Sequence, residues 1–426
     1  MRVRRTQVTR RTVGPASTGS RRRLSPVRAV ASVLLAGALA VTATACTGDG
    51  GGQGGGPTWQ GGGSAEDQQP KASVSITTPA ADARDVPAST EIAFTSKNAT
   101  KTTVEVKDAS GNTVKGRLTD DGTWLPDRQL AYGTTYTATV TATGDDGRPA
   151  TATSTFTTMA KPSKQVRVSS FLGDGQVVGV GMPLIVRFSR GIPKDYRDDV
   201  QRRMTVTSTP AQEGIWHWVS PTEVRYRPKT YWKANTRISY KIQTGGLPMG
   251  DGYYGRNDLT VDIKTGPALL MTVDNKTKTM TVTRDGKVIK TIPVSLGKKS
   301  TPSSSGTMVI IEKKAKTVFD TRDEPDPANR YVVDIEYAQR LTWGGEYIHA
   351  APWSVGDQGR RNVSHGCVNM STENARWLFN QTRVGDPVVV RGTERKLQHG
   401  NGWTDWNLSW DEYVKGSALP YEPAQA

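Results

Sequence analysis

Residues 134–143 read TTYTATVTAT. Apolar and polar side chains alternate with a period of two, and the polar positions are threonines, whose branched Cβ suits a pleated, half-buried surface. This spacing predicts a strand with one face in a core and one in solvent. The same pattern recurs on both sides, in VSIT (74–77), EIAF (91–94), TTVEV (102–106) and ATSTFTT (152–158). The turn pairs Asp121-Gly122 and Asp146-Gly147 punctuate it. Short alternating strands broken by such turns describe a β-sandwich.

The next hundred residues repeat the theme. Trp124-Leu-Pro126 followed by TTYTATV is echoed by Tyr226-Arg-Pro228 followed by TRISYKI (236–242), and Ile92-Ala-Phe94 by Val186-Arg-Phe188. The pattern predicts two tandem immunoglobulin-like domains, over 72–160 and 161–266, breaking near Pro162 and Pro267. Neither carries a His/Asp/Cys constellation. His217, between two tryptophans, reads as a packed strand residue.

Charge says where the chain works. The 426 residues carry a net charge of +16, and nine arginines lie before residue 29 with no acid among them. The remaining excess is too diffuse for nucleic acid: there is no basic stripe with interleaved aromatics and no zinc-finger pattern. The basic start precedes the apolar run AVASVLLAGALAVTATA and then Cys46. That order describes a secretory leader over 1–45, too short and alanine-rich for a membrane span. Ala43-Thr44-Ala45-Cys46 resembles a bacterial lipobox, with alanine where leucine is usual. The resemblance makes Cys46 a lipidated first residue, anchoring the protein on the extracytoplasmic face of the cell membrane. A Gly-rich tether over 46–71 would then hold the working domains off the surface.

From Ala268 the strands continue, with Asp285-Gly286 as a hairpin turn. Later comes SHGCVNMS, residues 364–371, holding Cys367, one of only two cysteines in the chain. Ser371 can cap a short helix, ENARWLFNQ, and a final strand, VVVR, follows. Cys367 thus falls in a loop between a β-rich body and a helix start, where rigid scaffolds present reactive groups. A metal site is disfavoured, since the chain has four histidines and no Cys-x-x-Cys or His-Glu-x-x-His pair. No cofactor motif is present. A lone exported thiol is an oxidation target, so its presence argues for use. A nucleophilic thiol needs a base, and His349 lies eighteen residues before it. His365 is the less suitable base. The N–H groups of His365, Gly366 and Cys367 are candidates for an oxyanion hole, with Gly366 permitting the bend. The thiol pKa separates a catalytic from an inert Cys367: a low value supports catalysis and an unperturbed one does not.

Ile348-His349 followed by Ser364-His365-Gly366-Cys367-Val368-Asn369 resembles the active-site signature of the bacterial L,D-transpeptidases. Ala351-Pro352-Trp353-Ser354-Val355-Gly356 and Gln358-Gly359 strengthen the likeness. So does the order of leader, lipid cysteine, two sandwiches, catalytic domain over 267–392 and Trp-rich tail over 393–426, which is similar to the actinobacterial form. The resemblance implies Cys367 as nucleophile, His349 as its base, and the backbone carbonyl of Ala350 as the group that orients it. The family often has serine at position 350. It places Tyr331, Trp353, Ser364 and Asn369 in the substrate pocket. The Thr-Pro-x-Gly element usual upstream is stretched here to Thr301-Pro-Ser-Ser-Ser-Gly306, to which no role is assigned. The implied partners are peptidoglycan stem peptides and, as inhibitors, carbapenems. The implied reaction passes a tetrapeptide acyl group through a thioester to a second stem, giving a 3→3 cross-link. Hydrolysis of that thioester, as a carboxypeptidase, is the alternative outcome. A non-catalytic, wall-binding lipoprotein is the alternative class.

A rival set exists. Ser295-Leu-Gly-Lys298, Ser96-Lys-Asn98 and Lys264-Thr-Gly266 match the three motifs of serine penicillin-binding enzymes, but in the wrong order. Finally, Trp403, Trp406, Trp410 and Val414 are spaced by three, four and four. That spacing predicts a helical stripe packed on the catalytic domain, with a substrate lid as the alternative.

Overall fold

A computed structural model describes residues 70–421, apart from 120, 121, 324, 325, 328 and 329. The leader, Cys46 and the tether up to Gln69 lie outside the described residues.

The stretch TTYTATVTAT, bar its first threonine, is the strand Thr135–Thr143. Tyr136, Ala138, Val140 and Ala142 are buried while the threonines between them are half-exposed. The strand lies between Pro149–Thr158 and Lys101–Asp108 in a four-stranded sheet, with Ala83–Val86 added in parallel at the edge. Opposite lie the pair Ser73–Thr78 and Ala93–Lys97 and, joined through the Ile92–Trp124 bridge, the pair Gly116–Leu118 and Trp124–Pro126. Trp124, Val106 and Phe156 meet in the core between the layers.

The second sandwich is wired the same way. Arg237–Ile242, the echo of TTYTATV, lies between Leu259–Thr265 and Met204–Thr209, again with a short parallel edge strand, Val177–Val178. Its other sheet runs Val168–Ser170, Leu184–Phe188, Glu223–Pro228, Gly214–Ser220. The sequence echo is therefore an echo of sheet position.

The C-terminal β-domain has two sheets. One runs Lys287–Pro293, Thr279–Arg284, Leu269–Asp274, Pro387–Arg391, Ser304–Val309, Arg395–Lys396. The other runs Glu312–Asp320, Val332–Arg340, Tyr347–Ala350, Val368–Met370. Met271, Val273, Met280 and Val282 from the first meet Ile348, Val368 and Met370 from the second in one apolar cluster. The helix Thr372–Gln381 closes the layer with Ala375 and Leu378, and the Ser371 hydroxyl caps it by accepting from the Asn374 amide at 3.2 Å.

The second sandwich meets this domain along a backbone seam. Gly179 N–H donates to Val384 O and Gly181 N–H to Gly385 O, at 2.8 and 2.9 Å. A Cβ on Gly179 would fall 2.1 Å from the Asp386 nitrogen, so only glycine lets the two main chains meet.

The tail departs from the predicted stripe. Trp403 precedes any helix, Trp406 lies in a 3₁₀ turn, Asp405–Asn407, and only Trp410–Val414 is α-helical. Its main partner is the second sandwich. Asp405 pairs with Arg225 at 2.9 Å, Tyr413 Oη donates to Arg225 O, and the Arg227 guanidinium is faced by Trp406, Trp410 and Tyr413. Trp403 sits edge-on between Phe171 of that sandwich and Trp343 of the β-domain. Tryptophan spacing resembled a helix because the buried groups recur at each turn of an irregular strap. The partner was hidden because Arg225 and Arg227 lie nearly two hundred residues away.

Candidate active site

Strand register builds the site. Ile348, His349 and Ala350 pair in parallel with Val368, Asn369 and Met370. Alternation then sends Ile348, Val368 and Met370 into the core and turns His349, Asn369 and Cys367 to the other face. There they floor a cavity of about 230 Å³. Phe319, Tyr331, Val333 and Ile335 wall it from the hairpin of Glu312–Asp320 and Val332–Arg340, and Trp353, Val363, Ser364 and His365 complete it. All four residues expected in the pocket, Tyr331, Trp353, Ser364 and Asn369, line it. Phe319, Val333, Ile335 and Val363 were missed. The signal for Val333 and Ile335 was the period-two run that starts at Tyr331; Phe319 and Val363 had no comparable signal.

His349 is 3 % exposed, and its Nδ1 lies 2.8 Å from Ala350 O. The carbonyl fixes the tautomer: Nδ1 carries the proton and donates, so Nε2 keeps its lone pair. Alanine in place of the family's usual serine leaves this bond intact. Burial lowers the His349 pKa to about 4, against the pull of the Ala350 carbonyl, so the ring is neutral at ordinary pH.

Cys367 does not show the low thiol pKa that would support catalysis. Burial, opposed by a hydrogen bond from the Tyr347 amide and reinforced by the Glu346 charge, pushes its thiol up to about 12. Sγ lies 3.8 Å from Gly345 O. Among the described residues no cation acts on the sulfur, so the resting pair is a neutral thiol and a neutral imidazole.

The motif loop is held by its own polar groups. Ser364 Oγ donates to Cys367 O at 2.7 Å and accepts from Gly366 N at 3.2 Å. The Gly366 amide is thereby engaged, leaving the amides of His365 and Cys367 from the candidate oxyanion set. Gly366 has φ +122°, a conformation glycine tolerates. The stretched element 301–306 buttresses the loop: Ser303 Oγ donates to Gly366 O at 2.7 Å and Thr301 Oγ1 to Ser364 O at 3.3 Å. Ser304 donates through N and Oγ to Glu346, which Arg395 also contacts. Asn369 Nδ2 donates to Ser354 Oγ, while its buried Oδ1 has no partner among the described residues.

The rival set does not assemble. Ser295 is fully buried, its Oγ donating to Arg361 O and accepting from Val363 N. Ser96 and Lys264 lie on strands of the first and second sandwiches.

A thiol and a carbonyl-locked imidazole on one face of a sheet, in an apolar cleft behind two sandwiches, define the class to compare. A bacterial Ig domain model matches residues 83–248, and an L,D-transpeptidase catalytic domain model matches 269–390. L,D-transpeptidase 2 of Mycobacterium tuberculosis is 34 % identical over 332 residues, 77 % of this chain and 80 % of that protein. L,D-transpeptidase 5 of the same species is 35 % identical over 329 residues, 74 % of this chain and 71 % of that protein. Among solved structures, LD transpeptidase LdtMt1 in complex with imipenem is similar over 54 % of this chain and 100 % of its own, at 36 % identity and TM-score 0.46. The chain belongs to the L,D-transpeptidase family, and its catalytic domain is that of an acyltransferase family.

Proposed function

We propose that the protein is a cysteine-dependent peptidoglycan L,D-transpeptidase that forms 3→3 cross-links. The observation that carries the reading is the bond from His349 Nδ1 to Ala350 O, which leaves Nε2 free as a base in the cleft that holds Cys367. The donor is a tetrapeptide stem. Cys367 Sγ attacks the carbonyl of its third residue as the thiol proton passes to His349 Nε2. The oxyanion is met by the amides of His365 and Cys367. When the tetrahedral centre collapses, the C–N bond to the terminal D-alanine breaks and the proton on His349 leaves with its amine. The side-chain amine of a second stem then attacks the thioester, losing a proton to His349, and the cysteine leaves as thiolate to be reprotonated. The thioester keeps the acyl group reactive, so no nucleotide is consumed outside the cell. Starting from a neutral pair costs less than burying a separated ion pair in an apolar cleft. Tyr331, Trp353, Ser364 and Asn369 shape the pocket that receives the donor.

Strained carbonyls should trap the same thiol, so carbapenems are expected to acylate Cys367 once. The Cys46 lipobox supports anchoring on the extracytoplasmic face of the membrane, and Cys46→Ala is expected to release the protein or leave its leader uncut. The test of the reaction is incubation with tetrapeptide stems and mass analysis of products. A cross-linked dimer with loss of one D-alanine supports the reading. Tripeptide alone makes it a carboxypeptidase, and no conversion by a protein whose thiol still alkylates returns it to the wall-binding class.

A further inference from the structure

One cation at the cleft has no part in that chemistry. Lys298 Nζ lies 3.0 Å from His365 Nε2, and His365 is a wall of the cavity, with its ring 5.3 Å from that of Tyr331. The backbone places Lys298 there deliberately: its amide donates to Ser364 O at 2.9 Å, and Gly297 bridges Ser364 in parallel. Lys298 is half-buried, yet no carboxylate lies within ion-pair distance of it among the described residues. Glu346, the acid beneath the same loop, is already taken by Arg395 and Ser304. An ammonium has three donors, and His365 accepts one, so two remain for a ligand. A cation with no carboxylate partner among the described residues, held at 3.0 Å against a wall residue of the cavity, can meet an anion at the cleft's edge.

Chain reach puts this edge within one residue's span of the reacting carbonyl. His365 is two residues from Cys367, which bounds the separation of their backbones at about 7 Å. In a donor stem, one residue separates the carbonyl under attack from the C-terminal carboxylate, a span of about 4 Å plus the carboxyl itself. We propose that Lys298, steadied by His365, binds the free carboxylate of the donor's terminal D-alanine and so makes the enzyme select stems that end one residue beyond the bond it breaks. The inference rests on the donor assigned above, and it adds Lys298 as the residue that measures the donor's length. Lys298 touches the leaving group, not the reacting atoms. A stem longer by one residue carries its charge past the ammonium and leaves an uncharged amide there.

The test uses binding, so it survives failure of the reaction. In a Cys367→Ala background, calorimetry compares a tetrapeptide stem with its C-terminal amide, with and without Lys298→Met. The free acid is expected to bind at least about tenfold tighter than the amide, the range of a charge-assisted hydrogen bond. Lys298→Met should weaken the acid to the level of the amide and leave the amide's affinity unchanged, while Lys298→Arg should keep most of the preference. Equal weakening of both ligands would make Lys298 a mere support of the His365 loop and overturn the proposal, as would equal affinities in the parent protein. Turnover by the Cys367 protein is read separately. Selective binding without turnover sinks the transpeptidase reading and leaves the carboxylate site standing.

Discussion

The clamp between the tail and the second sandwich and the cleft at Cys367 bury polar groups in opposite ways. In the clamp, Arg225 lies between Glu223 and Asp405, at 2.6 and 2.9 Å, and Arg227 reaches Leu408 O at 3.1 Å with three aromatic rings around it. The Arg225 charge is buried there and paired with two carboxylates, while Arg227 has carbonyls and rings around it and a buried Nε with no partner among the described residues. In the cleft, Cys367 and His349 are just as deeply buried but hydrogen-bond only to backbone groups, with no opposite charge paired to either among the described residues, and Asn369 keeps an unpartnered carbonyl oxygen. Burial drives those two groups to neutrality instead of pairing them. Paired buried charge holds two segments in one geometry. Unpaired neutral groups hold little together, and on the proposed function they are the pair that exchanges a proton when a carbonyl arrives.

That contrast is open to attack by substitution. The largest effect is expected from Cys367→Ser, which should lose nearly all turnover, because a hydroxyl is far harder to deprotonate than a thiol. Its melting temperature should stay close to that of the parent protein. A large drop in melting would give the cleft a structural role that the comparison denies it.

Next comes Asp405→Ala, which leaves Arg225 with one partner in a buried site. A loss of about 3 kcal/mol in unfolding free energy is expected, with activity per folded molecule much less affected. Replacing both ends, Arg225→Met with Asp405→Leu, should cost less than Asp405→Ala alone. Denaturant titration of the three proteins distinguishes these outcomes. A double variant worse than the single one would show that the pair contributes more than it costs to desolvate.

The smallest effect is expected at Ser303, whose hydroxyl holds Gly366 O beneath the motif loop. Ser303→Ala should cost about 1 kcal/mol and slow acylation modestly through a looser loop. An unchanged acylation rate would show that Ser364 alone sets the loop.

The same contrast explains what could be read from the chain. Strand patterning was legible because alternation is local: Tyr136, Ala138, Val140 and Ala142 declare their buried face within eight residues. Cys367 and His349 could be singled out as candidates because residue type and order suggest the chemistry, and the sheets bring both to one cavity. The clamp was not, since nothing near Trp406 announces Arg227, which packs on it from a strand far away in sequence. Nor was the protonation state of the thiol. It depends on total burial and on the absence of a facing cation, and both are properties of the assembled sheets. The buttress at Ser303 escaped because the stretched element departs from the family spacing, although its hydroxyls still reach the loop.

The central claim is that a neutral thiol and a neutral His349 react by direct proton transfer. The measurement that tests it most directly is the rate of carbapenem acylation between pH 5.5 and 8.5, followed by intact-protein mass spectrometry. His349 is neutral above pH about 4 and the thiol is un-ionised below about 12, so neither group changes charge in this window. The parent protein should therefore show a nearly flat rate, with one adduct per chain. His349→Ala should be slower at neutral pH by a factor of about 10² to 10⁴, the range of general-base catalysis. Its rate should rise about tenfold per pH unit, as the rare free thiolate takes over. Cys367→Ala should form no adduct at any pH. A parent rate that itself climbs tenfold per unit, or a His349→Ala profile that matches the parent, would contradict the account.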